Sequence, residues 1–378
     1  MTVTIIGAAE SPYTRHPPRD VRTPDVLVDA VRRVLDDSGL QAADIDGLGV
    51  CSFTLAPDHA VDLAWRLGLR LSWLMQDTNG GASAGSMVQH ATRALESGDA
   101  TNILLLAGDR MDGPAFTQLV NSYNRATEDH LAPLPMHGPN PLFAMLTCRQ
   151  MEKHGLVAQD YGRLVIAQRQ WASRNPGAVY RVPLTMAEYL EAPLVASPLR
   201  RYDCVPPVTG ADAVVLSSEP RAAAPVARIR AVAARYNVDD QAGDGLETGL
   251  NQAAPKLWQD AGIGPTDIGV ASVYDDYPAM AVAQLIDVGL LDRSDVPASL
   301  NRLVDGDFVA VNTSGGQLSA GQAGSAGGMH GLVEVVQQLR ERVGDRQVRA
   351  RFGLVTGYGM VLYRYGACAN AVVLEGSI

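Results

Sequence analysis

Thr78-Asn79-Gly80-Gly81-Ala82-Ser83-Ala84-Gly85-Ser86 is a turn dense in glycine and small residues, and the chain repeats its plan at Gly315-Gly316-Gln317-Leu318-Ser319-Ala320-Gly321. Each copy runs into a helical pattern and then an apolar strand, at 103–107 after the first and 352–356 after the second. Upstream the correspondence continues. An amphipathic segment at 26–35 leads through Asp37-Ser38-Gly39-Leu40 and Asp44-Ile45 to a strand at 47–52. Likewise, Leu257-Trp258 leads through Asp260-Ala261-Gly262-Ile263 and Asp267-Ile268 to a strand at 270–274. In both, apolar residues at helical spacing stop at a glycine suited to a left-handed cap, and an aspartate begins the next turn. The same unit occurs twice.

Helices alternating with short apolar strands imply sheets covered on both faces, an α/β architecture. The seam falls at 217–226, giving an N-terminal half at 1–222 and a C-terminal half at 223–378 that opens on the strand Arg228-Ile229-Arg230-Ala231-Val232. A region of about 110–200 stands outside the repeat. Within it, a proline-dense stretch at 131–141, followed by a helical pattern at 145–154, reads either as an inserted loop over a pocket or as a surface crossover.

With 378 residues, 47% of them hydrophobic, the chain can bury a large core. A net charge of −10, without a Lys/Arg cluster interleaved with aromatics, argues against a nucleic-acid partner. No run approaches the roughly 18 apolar residues of a membrane span, and Val3-Thr4-Ile5-Ile6-Gly7 is not preceded by a leader, so a soluble cytoplasmic protein without a membrane partner is expected. Cys51, Cys148, Cys204 and Cys368 lack metal-ligand spacing and are expected to be reduced, mostly buried thiols; no metal or other cofactor is expected. His90 and His330 fall within helical patterns and read as structural or exposed.

The first turn, the run from Asn312-Thr313-Ser314-Gly315-Gly316 to Gly321-Gln322-Ala323-Gly324, and Gly357-Tyr358-Gly359-Met360 near the end resemble, in order and spacing, the active-site loops of the thiolase superfamily. The resemblance extends over nearly the whole chain and implies that family's duplicated five-layered αβαβα fold. It breaks at the chemistry. Gly81 stands about where the acyl-accepting cysteine would be, Gln322 replaces the loop histidine, and Val355 falls at the second cysteine. With Tyr274-Asp275-Asp276-Tyr277 in place of a His-Asp-Cys-Phe type segment, the chain is similar to the steroid side-chain-cleaving aldolases related to sterol-carrier-protein thiolases. That resemblance implies retro-aldol cleavage of a β-hydroxyacyl-coenzyme A, a homodimer, and a small zinc-ribbon/OB-fold subunit as partner.

The missing nucleophile agrees with that reaction. A thiolase parks an acyl group on a thiolate; a retro-aldol needs only a base for the hydroxyl proton, donors for the thioester enolate and an acid for the carbanion. Tyr358 and Tyr274 are the expected proton-transfer pair, in either order, with Tyr277 lining the pocket or acting directly. Gln322, helped by Asn312, is the expected donor to the thioester oxygen. Gly80, Gly81, Gly357 and Gly359 are expected beside the substrate, with Gly80 and Gly81 letting it approach the backbone. Asp275 and Asp276 are candidates for tuning a tyrosine, and the Arg200-Arg201 pair for the coenzyme A phosphates. Three other readings compete: a non-catalytic lipid carrier or scaffold, a cysteine-independent Claisen-type acyltransferase, and a serine hydrolase in which Gly81-Ala82-Ser83-Ala84-Gly85 is a nucleophile elbow served by His330.

Overall fold

The computed structural model describes residues 2–56, 59–121, 125, 127–131, 133–134, 138–219, 225–238, 243–306, 308–362 and 365–376. In chain order the strands are β1 (Thr4–Glu10), β2 (Gly47–Cys51), β3 (Trp73–Asp77), β4 (Asn102–Asp109), β5 (Leu194–Ala196), β6 (Leu199–Arg200), β7 (Gly210–Ser217), β8 (Ala227–Tyr236), β9 (Ile268–Ser272), β10 (Ala310–Val311), β11 (Phe352–Leu362) and β12 (Tyr365–Gly376). The helices are α1 (Thr23–Ser38), α2 (His59–Leu67), α3 (Ser83–Ser97), α4 (Gly113–Asn121), α5 (Asn140–His154), α6 (Ala158–Ser173), α7 (Met186–Glu191), α8 (Leu250–Ala261), α9 (Pro278–Asp287), α10 (Val296–Val304), α11 (Gly316–Ala320) and α12 (Gly327–Leu339).

Ten strands are hydrogen-bonded in the order β10-β9-β11-β12-β8-β1-β7-β4-β2-β3. The join at the middle is short, pairing Thr4 with Arg228 and Ile5 with Ala227. Outward from it, the first five strands run β1–β7 and β7–β4 antiparallel, then β4–β2 and β2–β3 parallel. The other five repeat those directions, with β8–β12 and β12–β11 antiparallel and β11–β9 and β9–β10 parallel. The repeat seen in the sequence is a repeated five-stranded unit.

Strand alternation distributes the core. Leu105, Val214, Val355 and Val372 point into the space between the units, where α3 and α12 pack with Met87, Val88, Leu332 and Val336. Their neighbours Leu104 and Val215 face outward to Leu27, Val31 and Leu63 of α1 and α2. Leu354 and Val373 face outward to Leu257, Leu285 and Leu300 of α8, α9 and α10. The result is five layers, αβαβα. Burial on both faces explains why the strands read as continuous apolar runs, and each such side chain contributes about 1.5–3 kcal/mol. The expected caps form: α1 ends on Gly39 at φ 71° and α8 on Gly262 at φ 69°.

Two sequence expectations change. The strand expected at 270–274 stops at Ser272, so residues 273–277 leave the sheet. Residues 357–360, expected as a loop, lie inside β11, where Gly357, Tyr358 and Gly359 pair with Asn370, Ala369 and Cys368. The long β11–β12 hairpin holds them, and a Cβ at Gly359 would overlap the backbone oxygen of Asn79. Of the expected seam, residues 220–224 lie outside the described residues; of the proline-dense stretch, so do 132 and 135–137. Gly138 and Pro139, which are described, line a cavity. No described helix is long and apolar enough to cross a membrane.

Candidate active site

Residues 273–277 form a short irregular connection between β9 and α9, bent at 276–277, and buried amides fix it. Asn312 accepts from the Val273 N–H at 2.8 Å and donates back to the Val273 carbonyl at 3.1 Å. Gln284 donates to the Tyr274 carbonyl at 2.7 Å. The two aspartates then part. Asp275 turns inward and accepts from the Gln317 N–H at the start of α11, at 2.9 Å. Tyr274, Asp276 and Tyr277 face a cavity.

At the polar end of that cavity, Tyr274 Oη donates to Asp276 Oδ2 at 3.0 Å. Gln322 Nε2 lies 2.9 Å and 3.0 Å from the two Asp276 oxygens and 3.3 Å from Tyr274 Oη. Backbone bonds to Pro206 and Val208 hold Gln322 in place. Burial pushes the Asp276 carboxyl up to about 7, and the neighbouring Asp275 charge adds to it against the Tyr274 hydrogen bond. Its proton affinity therefore suits acid/base work near neutrality. The other walls are largely apolar: Phe116, Leu119 and Val120 of α4 and Leu142 and Phe143 of α5 come from the region outside the repeat, and Phe53, Val205 and Val361 complete them. Tyr277 stacks on Phe143 at 4.4 Å and donates to Asn140 Oδ1 at 2.6 Å.

Of the residues expected from sequence, the structure gathers Tyr274, Tyr277, Gln322 and Gly81 at the cavity. Tyr358 packs in the same buried cluster as Tyr274 and Tyr277, with Gly366 N–H donating to its hydroxyl oxygen, but it is not part of the cavity lining. At Gly81 the space a side chain would occupy is taken up by the Tyr274 ring and the Tyr358 backbone oxygen, because a Cβ there would overlap Tyr274 Cε2 and Cζ and Tyr358 O. Gly80, at φ 56°, shapes the turn. Gly357 and Gly359 admit Asn370 and the Asn79–Ala82 backbone against β11. Asn312 spends its amide on Val273 rather than on the cavity. Arg200 donates to the Ala192 carbonyl at 3.0 Å, and neither it nor Arg201 lines the cavity.

The serine-hydrolase geometry is not formed. Ser83 is buried and donates to Asp77 at 2.6 Å. His330 is buried as well, bonded to Glu10 at 2.7 Å and to Ser314 at 2.7 Å. Glu10, Asp212 and His330 bring possible metal-ligand atoms within 4.8 Å of one another, but Tyr13 already donates to both Asp212 oxygens and the imidazole is bonded on both nitrogens. Burial pushes Cys51 and Cys204 up to about 12 and Cys368 to about 11, so these are thiols at neutral pH, and no cysteine lines the cavity among the described residues. Sequence reasoning missed Asn140, Phe143 and the α4 wall, which only the tertiary fold brings to Tyr277.

Fold and cavity together define a thiolase-like frame whose cavity is lined by no cysteine among the described residues. Residues 231–369 match the family described as thiolase C-terminal domain-like. The chain is 30% identical over 361 residues to the 17-hydroxy-3-oxo-4-pregnene-20-carboxyl-CoA lyase of Mycobacterium tuberculosis, an alignment covering 89% of this chain and 91% of that one. It is 28% identical over 333 residues to the steroid side-chain-cleaving aldolase of Thermomonospora curvata, covering 82% and 84%. The solved structure of an Ltp2-ChsH2(DUF35) aldolase superposes with TM-score 0.83 at 23% identity, covering 99% of this chain and 97% of that one. The chain belongs to the thiolase superfamily, among its carbon–carbon lyases of the aldolase type.

Proposed function

We propose that this enzyme catalyses retro-aldol cleavage of a β-hydroxyacyl-coenzyme A carrying a steroid acyl group, by tyrosine acid/base chemistry and without a covalent acyl-enzyme. The observation that carries this reading is the Tyr274–Asp276–Gln322 cluster at the polar end of an otherwise apolar cavity. In it, Tyr274 Oη accepts the substrate's hydroxyl proton while passing its own to Asp276. The bond between the α and β carbons breaks, the hydroxyl carbon becomes a ketone or aldehyde, and the bonding pair passes to the thioester enolate. The α carbon is then protonated by the same route reversed, from Asp276 through Tyr274 Oη, which returns both groups to their starting forms, while Tyr358 packs beside Tyr274 with its hydroxyl oxygen held by Gly366 N–H. Gln322 holds the Tyr274–Asp276 pair and offers its amide to the thioester oxygen.

The names of the two relatives support the steroid acyl group. The enclosed space is about 100 Å³, which admits the reacting end, so the ring system lies in the mouth between α4 and α5. The two-part name of the superposed Ltp2-ChsH2(DUF35) aldolase supports a second subunit, for which we propose the small zinc-ribbon/OB-fold type. β3, at the free edge of its unit, together with Leu74 at 47% and Trp65 at 79% exposure, supports a homodimer across that edge. The test is release of ketone or aldehyde together with the shortened acyl-CoA, from a β-hydroxyacyl-CoA panel that includes a steroid with a tertiary alcohol. Absence of turnover with the partner present returns the chain to the carrier reading, and an acyl adduct by intact mass overturns the mechanism.

A further inference from the structure

We infer that Gly81 and Gly327 form a slot that orients the Tyr274 ring, and that Gly81 thereby makes an aldolase site and a nucleophile at position 81 mutually exclusive. This rests on the retro-aldol reading above. The two glycines stand near the heads of two helices: Gly81 is the middle residue of the single turn Gly80–Ala82 that leads into α3, and Gly327 is the first residue of α12, after the turn Gly324–Ala326. The Tyr274 ring reaches both helix heads. A Cβ at 81 would overlap its Cε2 and Cζ, and also the Tyr358 backbone oxygen; a Cβ at 327 would sit 3.1 Å from Cε2 and overlap Gln317 Oε1. Neither glycine is required by its backbone, because both have φ outside the left-handed region. What each supplies is the absence of a side chain.

The contact falls at the reacting end of the ring, since Cζ carries the hydroxyl. Tyr274 Oη holds Asp276 at 3.0 Å and meets Gln322 at 3.3 Å, so a displacement of about half an ångström takes the longer bond out of hydrogen-bonding range. A cysteine at 81 would need the volume that the ring fills. Loss of the nucleophile and gain of the tyrosine base are thus two sides of one packing arrangement, and Gly81 and Gly327 are positioning residues acting through Tyr274.

A kinetic cycle tests this. Gly81→Ala should lower kcat about 10²-fold or more, while the Kd of butyryl-CoA, which lacks the hydroxyl, stays within about threefold. In the Tyr274→Phe background the same change should cost almost nothing further, because the group it misplaces is already absent. Multiplicative losses, or weaker butyryl-CoA binding as the main effect, would overturn the slot. Should Gly81→Ala not fold, Gly327→Ala carries the same cycle, since its closest overlap is the end of the Gln317 side chain, which can turn aside, and the ring comes next at 3.1 Å. An arm without turnover separates the slot from the reaction: Gly81→Ala, whose nearest overlap is the ring itself, should lower the melting temperature by about 2 °C or more in the native chain and clearly less beside Tyr274→Ala. Equal drops sink the slot, whereas failure of the native enzyme to turn over sinks only the retro-aldol reading.

Discussion

Tyr274, Asp276 and Gln322 meet at distances where a proton can pass between the first two and the third can only donate. Phenylalanine at 274 keeps the ring that packs against Gly81 and removes the hydroxyl, so the retro-aldol rate should fall by about 10² to 10⁴ with folding and acyl-CoA binding intact. Full activity in Tyr274→Phe would remove the tyrosine mechanism. Asp276 must be ionised to accept a proton. With its carboxyl at about 7, kcat should climb as pH rises through that value, and Asp276→Asn should abolish the limb. The stability sign is opposite. The folded-state pKa lies above the unfolded one, so ionisation favours unfolding, and the penalty grows between about pH 4 and 7. Denaturant titrations should therefore show Asp276→Asn gaining more, or losing less, stability at pH 8 than at pH 5.

Among the elements, α12 and β1 are tied across the middle layer by His330 and Glu10 at 2.7 Å. Burial works against the imidazolium, but the charge and hydrogen bond of Glu10, with Asp212 and Glu334 adding, push it up to about 9. This raised value makes the pair fully stabilising below about pH 6.5 and progressively lost as pH rises through 9. His330→Gln should flatten the fall in unfolding free energy between pH 7 and 9, and an unchanged slope would show that other groups set it. The repeated helix, cap and strand were legible in the sequence because their signals are local: periodicity, a capping glycine, an aspartate opening a turn. The end of β11 was not, since glycine and tyrosine at 357–360 read as a loop until β12 supplies their hydrogen bonds.

For the whole molecule, the thiols provide a simple check. No cysteine lines the cavity among the described residues, so alkylating accessible cysteines should leave cleavage largely intact, and intact-mass spectra during turnover should show no acyl adduct. The exposed edge at β3 gives another. Light scattering should report a dimer that Leu74→Lys, placing charges on the free edge, shifts towards monomer; a monomeric native chain that stays so with its partner present would refute the proposed assembly.

The sequence by itself determined the doubled α/β frame, the missing nucleophile and the identity of Tyr274, Tyr277 and Gln322 as cavity residues, because repeats and motif order persist along the chain. Only the tertiary structure decided which groups meet. Asn140 reaches Tyr277 across 137 positions, Asp275 and Asp276 part to different partners from a short bent connection, and the Tyr274 ring enters the space that Gly81 leaves open. Those outcomes depend on packing volume and on hydrogen-bond partners distant in sequence, and no local pattern of residues encodes either.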